Sequence, residues 1–595
     1  TIPLLLTAVV SGGYHIAIKG WKEARNFSLG MDFLMSMAVI GAMLIGEWSE
    51  AAMVIFLFAL AQLLESFSVD RARRSIRSLM DLAPPVALVK LPSGESRVPV
   101  EEVEVGSTII IKPGERLPLD GVVAKGYSLV NQAPITGESI PQEKKKGSQV
   151  FAGTINRQGI LEVVVSHKFK ETMLSRIIRI VEEAQARKAP AQQFVEKFAR
   201  FYTPGVVVFS VLVAAIPPLL FGGIVIEWLY RGLVLLVIAC PCALVISTPV
   251  TIVSALTNAA RNGILIKGGA SLEIFNRVCA LALDKTGTLT TGQPAVGKIT
   301  AVGATSPEEV LQIAASLESR SEHPLGKAIV DYARKREIKI LPVDEFESQT
   351  GLGIKARIES KTYLVGNHRM FDSRGLLTAE INRILDEYEH RKQSLILVGD
   401  QQKILGIIAV SDAVRQNARQ AMDKLKRSGI RHLIMLTGDN QAAATAIAQE
   451  TGMEDFRAEL MPEDKLNIVQ ELLKTYRWVA MVGDGINDSP ALAAATVGIS
   501  MGASGTDTAL ETADIALMND DLNKLSFLKY LSERSVTIIK QNIFFALFLK
   551  SVFFVLALPG LVTLWMAVFA DMGASLLVIF NGLRALHIRE KDKSQ

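Results

Sequence analysis

Apolar and polar positions separate along this chain on the scale of whole domains. Seven stretches are long and apolar enough to read as membrane-spanning helices: 2–22, 32–46, 50–68, 200–222, 229–256, 538–558 and 561–586. The second is short. Two polar blocks, 70–199 and 257–535, lie between them, and neither holds a span of about 20 apolar residues. Each block is therefore expected to stay on one side of the membrane. The first block is rich in Val, Ile and turn residues, the pattern of a β-rich domain. The second holds continuous apolar runs, 278–283, 433–436 and 479–482, each followed by turn signals. Such runs are consistent with strands buried on both faces of a parallel sheet.

Basic residues choose the side. Lys19, Lys22 and Arg25 lie at the end of the first span and just after it, and Arg71, Arg73, Arg74 and Arg77 follow the third. Arg584, Arg589, Lys591 and Lys593 close and follow the last, whereas the opposite turns hold only Arg231. The positive-inside bias puts both blocks in the cytosol. Thr1 then lies outside, so residues upstream of it, with at least one further span, are expected. The opening stretch lacks the basic start of a signal peptide.

Composition adds three exclusions. Hydrophobic residues make up 49% of 595, too many for a disordered chain. A net charge of +4 is too small to argue for nucleic acid. Three cysteines, with Cys240 and Cys242 one residue apart, exclude a secreted disulfide scaffold. Cys279, within the first strand-like run, reads as a core residue.

The fifth span breaks helical rules at Ala239-Cys240-Pro241-Cys242-Ala243. Pro241 removes a donor and frees carbonyls nearby, which a membrane tolerates where protein or a cavity receives them. Two thiols flank the break and suit zinc, cadmium, lead or cuprous ions; a proline kink with two buried cysteines is the plainer reading. Lys550 and Asp571 lie within the sixth and seventh spans. Each ionised group costs roughly 2.5–3.5 kcal/mol at a helix centre, so each needs a partner. A Lys–Asp bridge joining helices would suffice. Alternatively, Asp571 is a third ligand: two thiolates, one carboxylate, one divalent ion and Lys550 sum to neutrality. Glu50 and Glu65 bracket the third span; Glu65 is a candidate for the ion pathway, or a snorkelling residue at its cytosolic end. Gly12-Gly13 interrupts the first span, where a kink and an amphipathic segment along the cytosolic face are expected.

Three strand-like runs end in polar loops: Asp284-Lys-Thr-Gly-Thr-Leu-Thr, Thr437-Gly-Asp-Asn, and Gly483-Asp-Gly-Ile-Asn-Asp. Met461-Pro-Glu-Asp-Lys465 lies between the last two. Together they bring a nucleophilic carboxylate, phosphate-binding hydroxyl and amides, a lysine and further carboxylates to the carboxyl edge of one sheet. Phosphoryl transfer requires that set.

These motifs, with Thr136-Gly-Glu-Ser139, resemble the signature of P-type ATPases, whose catalytic core belongs to the haloacid dehalogenase superfamily. Cys240-Pro-Cys and Ser321-Glu-His-Pro324 resemble the heavy-metal (type IB) branch. Lys550 and Asp571-Met-Gly look like the zinc/cadmium/lead exporters; the Asn-Tyr and Met-x-x-Ser-Ser patterns of copper pumps and the Ser-Pro-Cys of cobalt-type members are absent. The resemblance covers essentially the whole chain, although no Cys-x-x-Cys metal-binding domain is present.

It implies a polytopic α-helical membrane domain, a β-rich actuator domain, and an α/β haloacid-dehalogenase-like phosphorylation domain with an inserted α+β nucleotide-binding domain. The expected segments are membrane spans 1–69, actuator 70–199, spans 200–256, phosphorylation domain 257–295 and 406–535, nucleotide-binding domain 296–405, spans 536–586 and a cytosolic tail 587–595. Asp284 would take the γ-phosphoryl of ATP. Asp284, Thr286 and Asp484 would hold Mg²⁺, and Thr286, Asp484 and Asp488 would position it and the phosphate with Thr437, Gly438 and Lys465. Glu138 would orient the hydrolytic water, and Glu318, His323, Gly351 and Gly353 would contact ATP. Cys240, Cys242 and Asp571 would hold the transported Zn²⁺, Cd²⁺ or Pb²⁺, with Lys550 as counter-charge. A bacterial inner membrane is implied, and a cytosolic metal donor could dock at Gly12-Gly13. A copper(I) pump, a membrane-anchored phosphatase and a metal sensor without transport are the alternatives.

Overall fold

The structure is a computed structural model. It describes all residues except 1, 26–29, 81–82, 93, 133–140, 187, 322, 350–351, 390–393, 440, 485–487, 503–511 and 590–595. The chain divides into two compact units, residues 1–277 with 527–595, and residues 278–526.

The first unit holds the apolar helices. Among the described residues, four helical stretches are long and apolar enough to cross a membrane: Pro190–Phe221, Val225–Arg261, Asn523–Ala557 and Leu564–His587. The second expected span folds as Met31–Leu44, only 14 residues. At 1.5 Å per residue that is about 21 Å, less than a bilayer core of roughly 30 Å. Gly46, at φ +88°, follows its end, a backbone conformation that side chains resist. The first helix runs unbroken from Ile2 to Arg25, correcting the expected interruption at Gly12-Gly13. Those glycines instead allow close packing, because a Cβ at Gly12 would stand 2.9 Å from Ile55. The Cys-Pro-Cys stretch does break its span, into Val225–Ile238 and Cys242–Arg261.

The same unit contains the β-rich block. Six antiparallel strands run in the order Gly94–Pro99, Val86–Leu91, Thr108–Ile111, Leu161–Val165, Gly121–Lys125 and Gln149–Val150. Alternating burial along Leu161–Val165 sends Leu161, Val163 and Val165 into the core. Asp120 ties this sheet to the Met173–Ala186 helix. One carboxylate oxygen accepts from Ala152 N at 2.7 Å and the other from Met173 N at 2.6 Å. Burial pushes this carboxyl above its ordinary range, against the two N–H bonds.

The second unit carries the predicted parallel sheet. Its strands run Ile515–Leu517, Val497–Ser500, Val479–Gly483, Ala280–Asp284, His432–Leu436 and Asp455–Arg457, all parallel. Every residue of Ala280–Asp284 and Val479–Gly483 is buried, as continuous apolar runs require. Cys279 is not core: it is partly exposed just before the strand. Thr290–Ala301 leaves this sheet and Ile404–Val414 returns, paired antiparallel with Thr290 opposite Val414. With the four strands between them they form a six-stranded antiparallel sheet that carries the Pro307–Glu318 and Pro324–Lys335 helices.

Replacing Asp120 by Ala leaves two buried N–H groups without their acceptor, at roughly 1–3 kcal/mol each. The thermal unfolding midpoint of the purified full chain is expected to fall. Asp120→Asn, which keeps one acceptor oxygen, should lose less.

Candidate functional site

Each unit holds one constellation of ionisable groups. In the membrane helices, Cys240, Cys242 and Asp571 offer ligand atoms all within 4.8 Å of one another, the metal-competent cluster found among the described residues. The proline break makes it. Cys240 lies two residues past the end of one half-helix and Cys242 begins the next, and both sulfurs turn to the same side. In the structure the two are joined as a disulfide, the oxidised form of the pair; reduction yields two thiolates. Carbonyls freed by the break are received by Lys550. Its ammonium donates to Ile238 O at 3.1 Å and to Cys240 O, and reaches Asp571 Oδ1 at 2.8 Å. Lys550 and Asp571 are 12% and 15% exposed, so neither charge is left to water. A small cavity of about 30 Å³ adjoins the cluster, lined also by Met31, Met35, Phe58, Gln62, Met572 and Ser575. That volume suits a single ion or water. Glu50 stands elsewhere: its Oε2 accepts from the Tyr230 hydroxyl at 2.5 Å and Leu564 N at 3.3 Å. Glu65 falls on the Trp48–Met80 helix, with its side chain outside the described residues.

The second constellation sits at the carboxyl edge of the parallel sheet. Asp284 ends its strand and is buried. The Lys465 ammonium lies 2.5 Å from Asp284 Oδ1 and 2.7 Å from Asp488 Oδ1. Lys465 arrives on the first turns of the Pro462–Tyr476 helix, started by Pro462 at a position that tolerates its missing N–H. One ammonium thus serves two carboxylates, with Asp484 nearby as a third negative charge. Burial, and then Asp488, push the Asp284 carboxyl up to about 6. Burial likewise raises Asp488. Lys465 is drawn down by burial, but the two carboxylates outweigh this and hold its pKa above the ordinary value. Asp488 Oδ2 is buried without a hydrogen-bond partner. An orphaned carboxylate oxygen, excess negative charge and all-oxygen donors fit Mg²⁺.

The loop after Asp284 is shaped for close approach. Gly287, at φ +73°, has Asp484 beside it, where a Cβ would stand 3.6 Å from that side chain. Thr286 is exposed above the site. Thr437 Oγ1 accepts from Asp439 N at 3.0 Å, and Asp439 pairs with Lys285 at 2.7 Å. Gly438 is exposed between them.

Two residues here escaped the sequence reading. Arg415 donates from Nη2 to Gly287 O at 2.8 Å and from Nε to Thr288 O at 2.9 Å, and pairs with Asp520 at 3.1 Å. Asp412 accepts from the Thr290 hydroxyl. Both close the returning strand Ile404–Val414, and a charged pair ending an apolar strand was the available signal.

In the antiparallel-sheet region, Glu318 is buried with Oε2 unpartnered, and Gly326 leaves room for it: a Cβ there would stand 2.1 Å from that oxygen. Burial raises the Glu318 carboxyl. His323 caps the Pro324–Lys335 helix, its Nδ1 accepting from Leu325 N at 3.2 Å. Gly353, at φ +151°, opens a strand where a Cβ would meet Val365 O at 2.3 Å. Glu138 and Gly351 lie outside the described residues.

Comparison with known proteins covers nearly the whole chain. Residues 279–496 match the haloacid dehalogenase-like hydrolase family, and residues 81–182 the P-type ATPase actuator domain. A probable cadmium-transporting ATPase of Listeria monocytogenes is 48% identical over 99% of this chain and 84% of its own length. The zinc/cadmium/lead-transporting P-type ATPase of Escherichia coli strain K12 is 42% identical over 98% and 79%. A crystal structure of a zinc-transporting PIB-type ATPase in the E2·Pi state matches with a TM-score of 0.67 at 40% identity, over 98% of this chain and 95% of that one.

Mg²⁺ should raise the thermal unfolding midpoint of the purified chain at about pH 7.5 by binding the folded state, an effect lost in Asp488→Asn. Without the ion, the folded Asp284 keeps its proton up to about 6, against an ordinary 3.8. The folded state binds more protons across that window, so the contribution of this group to stability falls as pH rises through it. Melting curves measured across this range with and without Mg²⁺ check both points.

Proposed function

Because this chain belongs to the P-type ATPases, in their heavy-metal (type IB) branch, we propose that it exports Zn²⁺, Cd²⁺ or Pb²⁺ from the cytosol, driven by ATP. It is an integral plasma-membrane protein and an ATP-hydrolysing metal transporter. The observation that carries the choice of ion is the Cys240–Cys242–Asp571 cluster with Lys550 against the carboxylate. Two thiolates and a carboxylate bring three negative charges; a divalent ion and Lys550 bring three positive ones. A low-dielectric site favours that neutral sum over the negative one a monovalent ion would leave.

Phosphoryl transfer falls to the second constellation. An Asp284 oxygen attacks the γ-phosphorus of ATP, the bond to the bridging oxygen breaks, and ADP leaves. Lys465 offsets charge on the carboxylate and the phosphoryl oxygens, while the Thr437 hydroxyl, the Gly438 amide and Thr286 orient the phosphoryl group. Asp484 and Asp488 would hold Mg²⁺, which neutralises charge on the transferring group. Glu318, His323, Gly351 and Gly353 are assigned to nucleotide binding, the orphaned Glu318 oxygen being an acceptor for a donor group of the base. Water then attacks the aspartyl phosphate, Glu138 receives its proton, inorganic phosphate leaves and the carboxylate is restored.

Coupling must weaken the metal site. Release of a tightly held ion requires a loss of several kcal/mol in affinity, at about 1.4 kcal/mol per tenfold. Separation of Cys240 and Cys242 from Asp571 would achieve it, and Lys550 then occupies the emptied carboxylate in the 2.8 Å pair. Glu65 is assigned to the cytosolic approach. A metal donor meeting the chain near Gly12-Gly13 remains part of the same reading, on the strength of Lys19, Lys22 and Arg25 beside it.

ATP hydrolysis by the purified, reduced protein in detergent and lipid tests this, with Zn²⁺, Cd²⁺, Pb²⁺, Co²⁺ and Cu⁺ titrated separately. Stimulation by the first three is expected, and its loss in both Asp284→Asn and Cys240→Ala/Cys242→Ala. Stimulation by Cu⁺ alone would move the chain to the copper branch. Arg415 is expected to act as a positioning residue for the Asp284 loop. Arg415→Ala should lower kcat about tenfold or more with KM for ATP little changed, and should equally impair phosphorylation of Asp284 by inorganic phosphate. Partial recovery in Arg415→Lys would fit its contacts with two carbonyls.

A further inference from the structure

The donor cluster is one short of the four that a tetrahedral ion takes. We propose that Met31 supplies the fourth donor through its thioether and biases the site toward Cd²⁺ over Zn²⁺. The inference rests on the reading of Cys240, Cys242 and Asp571 as the transport site.

Its geometric basis is direct. Met31 Sδ stands 3.0 Å from Cys242 Sγ. The same side chain lines the cavity that Cys240, Cys242 and Asp571 line. Two sulfurs bound to one tetrahedral ion lie about 3.8 Å apart, from a metal–sulfur distance of about 2.3 Å. Opening by about 1 Å would therefore admit zinc between them, and slightly more the larger cadmium ion, a small demand on an unbranched side chain with three rotatable bonds. Met31 is also placed to move. It is the first residue of the Met31–Leu44 helix, with Gly30 before it, and is only partly buried. Met35 and Met572 line the cavity too, but both are fixed inside the helix-packing core.

Charge selects a neutral donor over a fourth anionic one, and of the neutral groups lining the cavity Met31 is the one beside Cys242 Sγ. Two thiolates, Asp571, a divalent ion and Lys550 already sum to zero. A fourth anionic ligand would leave a net charge in the membrane, where charge is expensive. A neutral sulfur completes the coordination without disturbing the balance. It also discriminates: polarisable thioether sulfur favours softer ions. Zinc can take a water in that position, whereas cadmium gains more from a third sulfur.

X-ray absorption on the reduced, Cd²⁺-loaded full chain, with ATPase titrations alongside, tests the proposal. Three sulfur neighbours are expected around cadmium in the wild type and two in Met31→Leu. The Cd²⁺ concentration for half-maximal ATPase stimulation should rise about tenfold in that variant, and that for Zn²⁺ should stay within about twofold. Two sulfurs in the wild type, or equal shifts for the two ions, would overturn it. The wild-type spectrum decides even if Met31→Leu fails to fold, and Met31→Ile provides a second variant. Failure of the underlying reading looks different: metal stimulation would then survive Cys240→Ala/Cys242→Ala.

Discussion

The contact of Lys550 with Asp571 and with the carbonyls of a broken helix organises the membrane part of this molecule. Three separate problems meet there. A proline leaves backbone acceptors without donors, a lysine and an aspartate sit within apolar helices, and two thiols occupy the break. Each would be costly alone in a medium without water. Together they compensate: the ammonium takes the orphaned carbonyl oxygens of Ile238 and Cys240 and neutralises the carboxylate. The arrangement is stable when empty and ready for a divalent ion when Lys550 yields the carboxylate. A counter-ion built into the chain is what lets a charged site exist both loaded and unloaded.

The phosphorylation site solves the converse problem. Asp284, Asp484 and Asp488 crowd around a single ammonium, leaving the pocket with too much negative charge. With Cys240 and Cys242 uncharged, as in their disulfide, Lys550 and Asp571 balance the membrane site without its ion; the phosphorylation site is balanced only when Mg²⁺ arrives. The excess raises Asp284 and leaves Asp488 Oδ2 unsatisfied. Burial enforces both consequences, since Asp284 and Asp488 are both buried, Asp284 at the end of a strand with every residue buried. Arg415 holds the loop between them by its carbonyls, so the nucleophile is aimed by a residue at the end of another strand.

Much of this was legible from residue order. Continuous apolar runs announced the buried parallel strands, and the carboxylates at their ends announced the crevice. Pro241 announced a broken helix, and Lys550 and Asp571 stood out because charges are rare in apolar spans. The failures have physical reasons. Gly12 and Gly13 were read as an interruption, yet glycine serves close helix packing equally well, and the position of Ile55 decides which. Cys279 lies one residue before the strand that would have buried it.

Residue order carries the chemistry: the kinds of residue, their placement along strands and spans, and the sum of charges at each site. Those depend on local properties, namely hydropathy, proline geometry and the loop following a buried strand. Tertiary structure alone decided who meets whom. Met31 reaches Cys242 across 211 positions, Lys550 reaches the Ile238 carbonyl across 312, and Arg415 reaches Gly287 across 128. No periodicity encodes such contacts, because they arise from the packing of whole helices and sheets, and a side chain's partner is set by the surface that packing brings to it.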